Sequence, residues 1–317
     1  MALGSLGWRG YMRVGGTAGP VLPYLSADLS ESTEVNPSAS IHGGGVGSSD
    51  GVYHSEHNFA IGRATYEGTV NGEVFGGITG NYAAAFLALI QRAIGADSGD
   101  TSMRDDGFGS TTQLIFSPGG GFQFKFPKAS SVGKCVINSF SLNGNNGGNV
   151  QYSAGMISSG ADYNSNAANA PLVPDFAFEI AGLTDDSNPV PYYATNFNID
   201  GTLESDLSDR VTDWNIAVAN NSAPIFTFNG DNFAVDVLQG MMVVTGSFSY
   251  YSPLGTFVQY MTHGGAMTIS LGNITLNSPF VAFGPYPVPS PGPNDPTVRN
   301  VTFRCLAHGT KASLYIT

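Results

Sequence analysis

Leu114-Ile115-Phe116-Ser117-Pro118-Gly119-Gly120-Gly121-Phe122-Gln123-Phe124-Lys125-Phe126 is the stretch that decides the class of fold. It reads as strand, turn, strand. The alternation from Phe122 to Phe126 puts three aromatic rings on one face and Gln123 and Lys125 on the other, the period of a half-buried strand. Ser-Pro-Gly-Gly-Gly between the two runs is turn composition. The same grammar recurs outward along the chain. Phe59 to Tyr66 mixes alternation with β-formers. Val136 to Leu142, the glycine-rich Asn143 to Gly148, and Val150 to Tyr152 read as a hairpin. Ile225 to Phe228, Met242 to Tyr251, Met267 to Leu271, Phe280 to Phe283 and Val298 to Leu306 follow as further strands.

Helices are scarce. Asn81 can cap a helix whose apolar face is Tyr82, Phe86, Leu89, Ile90 and Ala93, with Gly95 closing it. Ser252 and Pro253 can open a second, with Phe257, Tyr260 and Met261 on its packing face before Gly264. Both have a capping residue, a Phe five positions on, and apolar residues at eight and nine, at an offset of 171. Pro20 to Tyr24 matches Pro189 to Tyr193, Ser117-Pro118 matches Ser278-Pro279, and the strand from Val136 matches the strand from Val301, at offsets of 161 to 171. A duplicated unit of roughly 160 residues explains these matches. The expected domains are residues 1–160 and 161–317, joined through the small polar stretch Ser158 to Pro174. Pro285 to Pro296 reads as an extended loop between strands of the second half.

Of the 317 residues 42% are apolar, enough for a core, but only 11% are charged. That is well below the usual quarter, so the chain has a Ser/Thr/Asn-rich surface or buries much of it against partners. The net charge is −12. The first 160 residues hold 11 acids and 8 bases, and the rest hold 13 acids and 4 bases. No basic stripe exists to displace counterions from nucleic acid, whereas an acidic wall would keep DNA from sticking. The 20 Phe and 14 Tyr lack interleaved bases, so they read as core and interface packing and not as stacking platforms. The N-terminal residues lack signal-peptide features and no apolar run approaches a membrane span, so synthesis is expected in the cytosol. Cys135 and Cys305 are then expected free and buried.

Residues that suggest chemistry have stronger bland explanations. His42-Gly43-Gly44-Gly45 and Gly47-Ser48-Ser49-Asp50-Gly51 resemble an oxyanion loop and a nucleophile elbow, but they abut in one glycine-rich segment without the strand and helix an elbow needs. His54, Glu56 and His57 read as a solvated loop, since His57 would point away from the other two on a strand. His263 and His308 lack carboxylate companions, and Asp105-Asp106-Gly107 reads as a turn. No catalytic residue, cofactor site or metal site is assigned. The densest acidic run is Asp200, Glu204, Asp206, Asp209 and Asp213, interrupted by Arg210. It reads as a solvated loop or edge, or as an acidic lumen or contact surface in an assembly.

The order of elements suggests a family. A Pro-aromatic extended start precedes a long loop, then strands, one short helix and further strands ending in a hairpin. Val211-Thr212-Asp213-Trp214-Asn215-Ile216, Phe226-Thr227-Phe228-Asn229-Gly230-Asp231, Gly240 to Tyr251, and Val301-Thr302-Phe303-Arg304-Cys305-Leu306 resemble strands of the tail-tube (major tail) protein of long-tailed, siphovirus-type bacteriophages. The resemblance implies a mainly β fold of two tandem tail-tube-like β-sandwich or half-barrel domains. Each would carry one short helix and join a closed ring β-barrel. It implies a self-assembling structural subunit whose stacked rings conduct DNA through the lumen without binding it specifically. The ring would be a homotrimer of doubled subunits or a homohexamer, with tape-measure and tail-terminator proteins as partners. Assembly would take place in the host cytoplasm, the product would be the virion tail, and no membrane would be involved. The long loops Glu31 to His57 and Asp185 to Asp213 are expected to contact neighbouring rings. Competing expectations are a capsid-decoration or fibre protein, or a β-rich glycan hydrolase, which would need two carboxylates about 5–10 Å apart in a cleft.

Overall fold

The computed structural model describes residues 10–37, 59–76, 81–96, 100–119, 122–128, 133–164, 189–199, 211–227, 232–251, 264–284 and 298–317. Strands dominate, and every ladder between the named strands is antiparallel. A five-stranded outer sheet is built from β1 (Tyr11–Val14), β2 (Val21–Pro23), β6 (Leu114–Gly119), β7 (Phe122–Phe126) and β10 (Asp162–Asn164), in the order β10-β7-β6-β1-β2. The 114–126 stretch is therefore the hairpin its alternation predicts. Phe116 stands opposite Phe124, and a bulge between Phe116 and Gly119 absorbs the Ser-Pro turn residues.

The main sheet has 12 strands. Residues 26–158 supply β3 (Ser26–Pro37), β4 (Phe59–Glu73), β8 (Lys134–Asn145) and β9 (Gln151–Ser158). Residues 211–306 supply β12 (Val211–Ala219), β15 (Val243–Tyr251), β17 (Ile274–Phe283) and β18 (Val298–Leu306). These lie side by side as β3-β4-β9-β8-β12-β15-β18-β17. In each set the chain visits positions one, two, four and three of its four-strand block, with the same strand directions. The blocks meet where β8 pairs with β12, from Asn145 opposite Asp213 to Ser139 opposite Ala219. At this seam the Trp214 indole lies against Gly144, where any Cβ would fall 2.5 Å from Nε1. Only glycine allows that approach.

Beyond β17 the sheet curls through β16 (Gly265–Leu271) to β11 (Thr195–Ile199), which a 3-10 turn over Tyr192–Ala194 precedes, while β19 (Tyr315–Ile316) adds to β17. β5 (Phe108–Gly109) pairs with the start of β8. A separate hairpin, β13 (Ala223–Ile225) with β14 (Asp236–Leu238), sits between β12 and β15 in the chain. Its Val237 covers Val136 and Ile157, apolar residues on the face of the main sheet that points away from the core.

One hydrophobic core runs through both blocks. Helix α1 (Asn81–Ile94) lies in it. Its Phe86, Leu89, Ile90 and Ala93 are fully buried, as the sequence spacing predicts, and Phe86 packs on Tyr152 at 5.5 Å and Phe140 at 6.4 Å between centroids. Gly95 ends the helix at φ 97°. In the second block β11 covers the core, with Phe197 5.0 Å from Phe248.

Several expectations change. The loop read from Glu31 begins with strand, because β3 runs to Pro37 against β4. The loop read from Asp185 to Asp213 contains β11 and the start of β12. β8 extends to Asn145, leaving a shorter turn than the Asn143 to Gly148 loop. Asp105 and Asp106 end a five-residue helix, α2 (Ser102–Asp106), before Gly107. The expected second helix, with Phe257, Tyr260 and Met261, lies outside the described residues, as do most of the expected linker and the Pro-rich loop. The monomer's sheets are open: the ends of the described main sheet do not close on each other.

Candidate functional surface

The main sheet has a core face and a polar face, and alternation assigns each residue. In β4, Ala64, Tyr66 and Val70 point inward, while Thr65, Glu67, Thr69, Asn71 and Glu73 point outward. In β12, Trp214, Ile216 and Val218 are buried, while Asp213, Asn215 and Ala217 face out. Two rows of cross-strand neighbours show what this makes across the sheet. One runs Ser26, Asn71, Ser153, Ser141, Ala217, Thr245, Arg304, Ala282. The next runs Glu73, Gln151, Asn143, Asn215, Ser247, Thr302. Every member of both rows is exposed or half-buried. The result is a continuous surface of short hydroxyl and amide side chains crossing both blocks.

These groups partly satisfy one another. Asn71 Nδ2 donates to Ser26 Oγ at 3.0 Å, and Asn149 Nδ2 donates to Glu73 Oε1 at 2.9 Å. Thr212 Oγ1 donates to Asp213 Oδ2 at 3.0 Å, and Asn215 Nδ2 to the Leu142 carbonyl at 3.3 Å. Among the described residues, the charges on this face include the carboxylates of Asp28, Glu67, Glu73 and Asp213 and the cations of Arg63, Lys134 and Arg304, with Arg63 5.1 Å from the Phe226 ring centroid and Lys134 3.9 Å from Asp236. A surface with scattered charges of both signs and a carpet of small dipoles lacks the basic stripe that would hold phosphates firmly.

Of the acidic run proposed from sequence, Asp213 is on this face, and Asp200, Glu204, Asp206 and Asp209 lie outside the described residues. Sequence reasoning missed Asp28, Glu67 and Glu73. The signal for them was the outward alternation from Thr65 to Glu73, legible only once β4 is known to be one 15-residue strand. His42, Ser48, His54 and His57 lie outside the described residues. His308 makes an isolated bridge with Lys311. Among the described residues no three His, Cys, Asp or Glu side chains gather as a metal site, and no helix is long and apolar enough to cross a membrane. Cys135 and Cys305 are free and buried.

The two ends of the eight-strand array are unequal. Among the described strands none pairs with the outer edge of β3, which is 12 residues long. At the other end β16 covers β17 up to Val281, and no described strand pairs Ala282 and Phe283 on that side. Unpaired strand edges are templates for another strand. No curated protein matches the chain. A family model described as phage tail tube protein matches residues 58–305, more than three quarters of the sequence. That span contains seven of the eight strands of the polar surface, and the chain belongs to the phage tail tube protein family, as a structural subunit of the tube.

Proposed function

We propose that three copies of this chain close into a ring, that rings stack into the tube of a siphovirus-type tail, and that the polar face lines a lumen conducting DNA during ejection. The observation that carries this is the seam between β8 and β12. Within one chain, the outer edge of a block's last strand pairs with the first strand of the next block. β3 offers its outer edge and β17 its end at Ala282 and Phe283, beyond the reach of β16, so the seam can be continued there between neighbouring chains until the barrel closes. The matching order of visits in the two blocks supports an internal duplication, with the domains as 1–160 and 161–317.

Strand number selects the ring size. Two chains would give 16 strands of this array, the size of a porin channel and too narrow for a duplex. Three give 24, roughly 48 Å across the backbone at a spacing of about 4.8 Å and a tilt of about 40°. Lined by short side chains, that barrel admits duplex DNA with room for a shell of water. Six chains would roughly double the width. The lumen wall works without catalysis: it lacks a basic stripe and offers mainly small dipoles to a moving polyanion. Tape-measure and tail-terminator proteins are the expected further partners, with assembly in the host cytoplasm.

Electron microscopy of the assembled particle, with its rotational symmetry determined, tests this. Stacked rings of three chains are expected. Six chains per ring would retain the tube and overturn the stoichiometry, and discrete monomers without a lumen would overturn the assembly.

A further inference from the structure

The exposed large apolar side chains among the described residues are not scattered. Leu238 (54% exposed) ends β14, and Met241 (72%) stands two residues before β15. Leu306 ends β18. Leu25 (57%) immediately precedes β3, and Tyr251 (46%) ends β15. None lies in the outer sheet; Tyr251 and Leu306 alternate onto the polar face at its margins, and Leu238 is on the hairpin that covers Val136 and Ile157. All sit at strand ends, and strand direction sorts them into two groups.

β3, β12 and β18 run one way, and β4 and β15 the other. Leu25 is at the start of β3, where its N–H donates to the Asn71 carbonyl at 2.8 Å. Tyr251 adjoins Tyr250, which stands opposite Val211 at the start of β12. These two therefore share one rim. Leu306 is at the far end of β18, and Met241 is beyond the far end of β12, where Asn221 Nδ2 donates to its carbonyl at 2.8 Å. Leu238 belongs to the hairpin folded over that same end. These three share the opposite rim.

We infer that the two rims are the two halves of a single heterologous contact, in which Leu238, Met241 and Leu306 of one copy meet Leu25 and Tyr251 of a copy in the next ring. This rests on the tube reading above. The occupant follows from the distribution: a different partner would have to cover both ends of every ring, whereas a second copy of this chain covers both at once. Unlike rims in contact repeat by translation and never close, so the product is a stack and not a dimer of rings. Each contact is small, and three per ring acting together make it cumulative. The hairpin is held firmly enough to present its side chains: Ala64 N donates to the Asn232 carbonyl at 2.9 Å, and Phe233 packs 5.8 Å from Tyr66.

The test uses two variants of the full chain, Leu238→Asp with Met241→Asp and Leu25→Asp with Tyr251→Asp, each imaged by negative-stain electron microscopy and sized by sedimentation. All four positions are solvent-exposed, and unchanged melting would confirm intact folding. Each variant alone is expected to stop at single rings. Rings of the two, purified and then mixed, are expected to pair into stacks of two and no longer, because one intact rim from each remains. Long tubes from either variant, or a mixture that stays as single rings, would overturn the inference while leaving the ring intact. Failure of the unaltered chain to form rings would overturn the tube reading, and this inference with it.

Discussion

At the residue scale, Asn220 ties three elements together. It is fully buried at the end of β12. Its Nδ2 donates at 2.8 Å to the Ala93 carbonyl in the last turn of α1 and at 2.8 Å to the Ile137 carbonyl beside the β8 bulge. Carbonyls at helix ends and bulges lack regular partners, so a side-chain amide is their remedy. Asn220→Leu should destabilise the chain by roughly 2–4 kcal/mol, since it leaves both carbonyls buried and unpaired. Urea unfolding of variant and parent measures this, and a difference below about 0.5 kcal/mol would contradict the role. The two thiols are a second case. Burial pushes Cys135 up to about 12 and Cys305 up to about 11, partly offset by hydrogen bonding to Ser158 and Ser278. The folded chain thus keeps both protons where the unfolded chain, with thiols near 9, begins to lose them. The stability they contribute is complete below pH 9 and is lost as pH rises toward 11 and 12. At pH 8 a thiol reagent should label neither cysteine in the native chain and both in urea. Rapid native labelling would show that one is accessible.

At the scale of elements, α1 is the wedge between the outer sheet and the main sheet. Phe86 is fully buried against Tyr152 and Phe140. Phe86→Asp should abolish folding, because an unpaired carboxylate there costs more than a typical domain's whole margin of stability. A soluble, cooperatively melting Phe86→Asp chain would refute this placement. The helix was legible because its apolar residues keep helical spacing and Gly95 stops it. β3 was not. From sequence, a loop begins at Glu31 and no strand is assigned to Ser26-Ala27-Asp28-Leu29-Ser30, and the segment is a strand only because β4 supplies a ladder from Asn71 back to Phe59. An edge strand needs few apolar residues, since its pairing is backbone to backbone and its charges discourage wrong partners. The small hairpin of β13 and β14 is legible in the sequence only as a strand from Ile225 to Phe228, whereas the strand is Ala223–Ile225, because its packing onto Val136 and Ile157 depends on residues about 80 to 100 positions away.

At the scale of the whole molecule, what matters is which face meets the lumen and with what charge. Reversing two of its acids together, Glu67→Lys with Asp213→Lys, should leave assembly intact and make the tubes retain DNA in a salt-dependent way, as new cations displace counterions. Retention assays across salt concentration would show it. If the altered tubes hold no more DNA than the parent, the polar face is not the lumen wall. The repeat also belongs to this scale. Sequence matching aligned the strand from Val136 with the strand from Val301, yet the order in the sheet puts β18 in the place of β9 and β17 in the place of β8. Local resemblance between strands carries no record of where each sits in a sheet.

The sequence by itself determined that this is a strand-rich chain with few charges, acids in excess and a helix whose packing face runs from Tyr82 to Ala93. Those properties follow from composition and from side-chain periods of two and 3.6 within short windows. The tertiary structure alone decided that two four-strand blocks join at β8 and β12, that their polar faces merge into one surface, and that apolar side chains gather at opposite rims. Those depend on registers between strands such as Ser139–Asn145 and Asp213–Ala219, far apart in the chain. Such registers are set by edge-to-edge hydrogen bonding and by the close contact of Trp214 with Gly144, and no local window contains both partners.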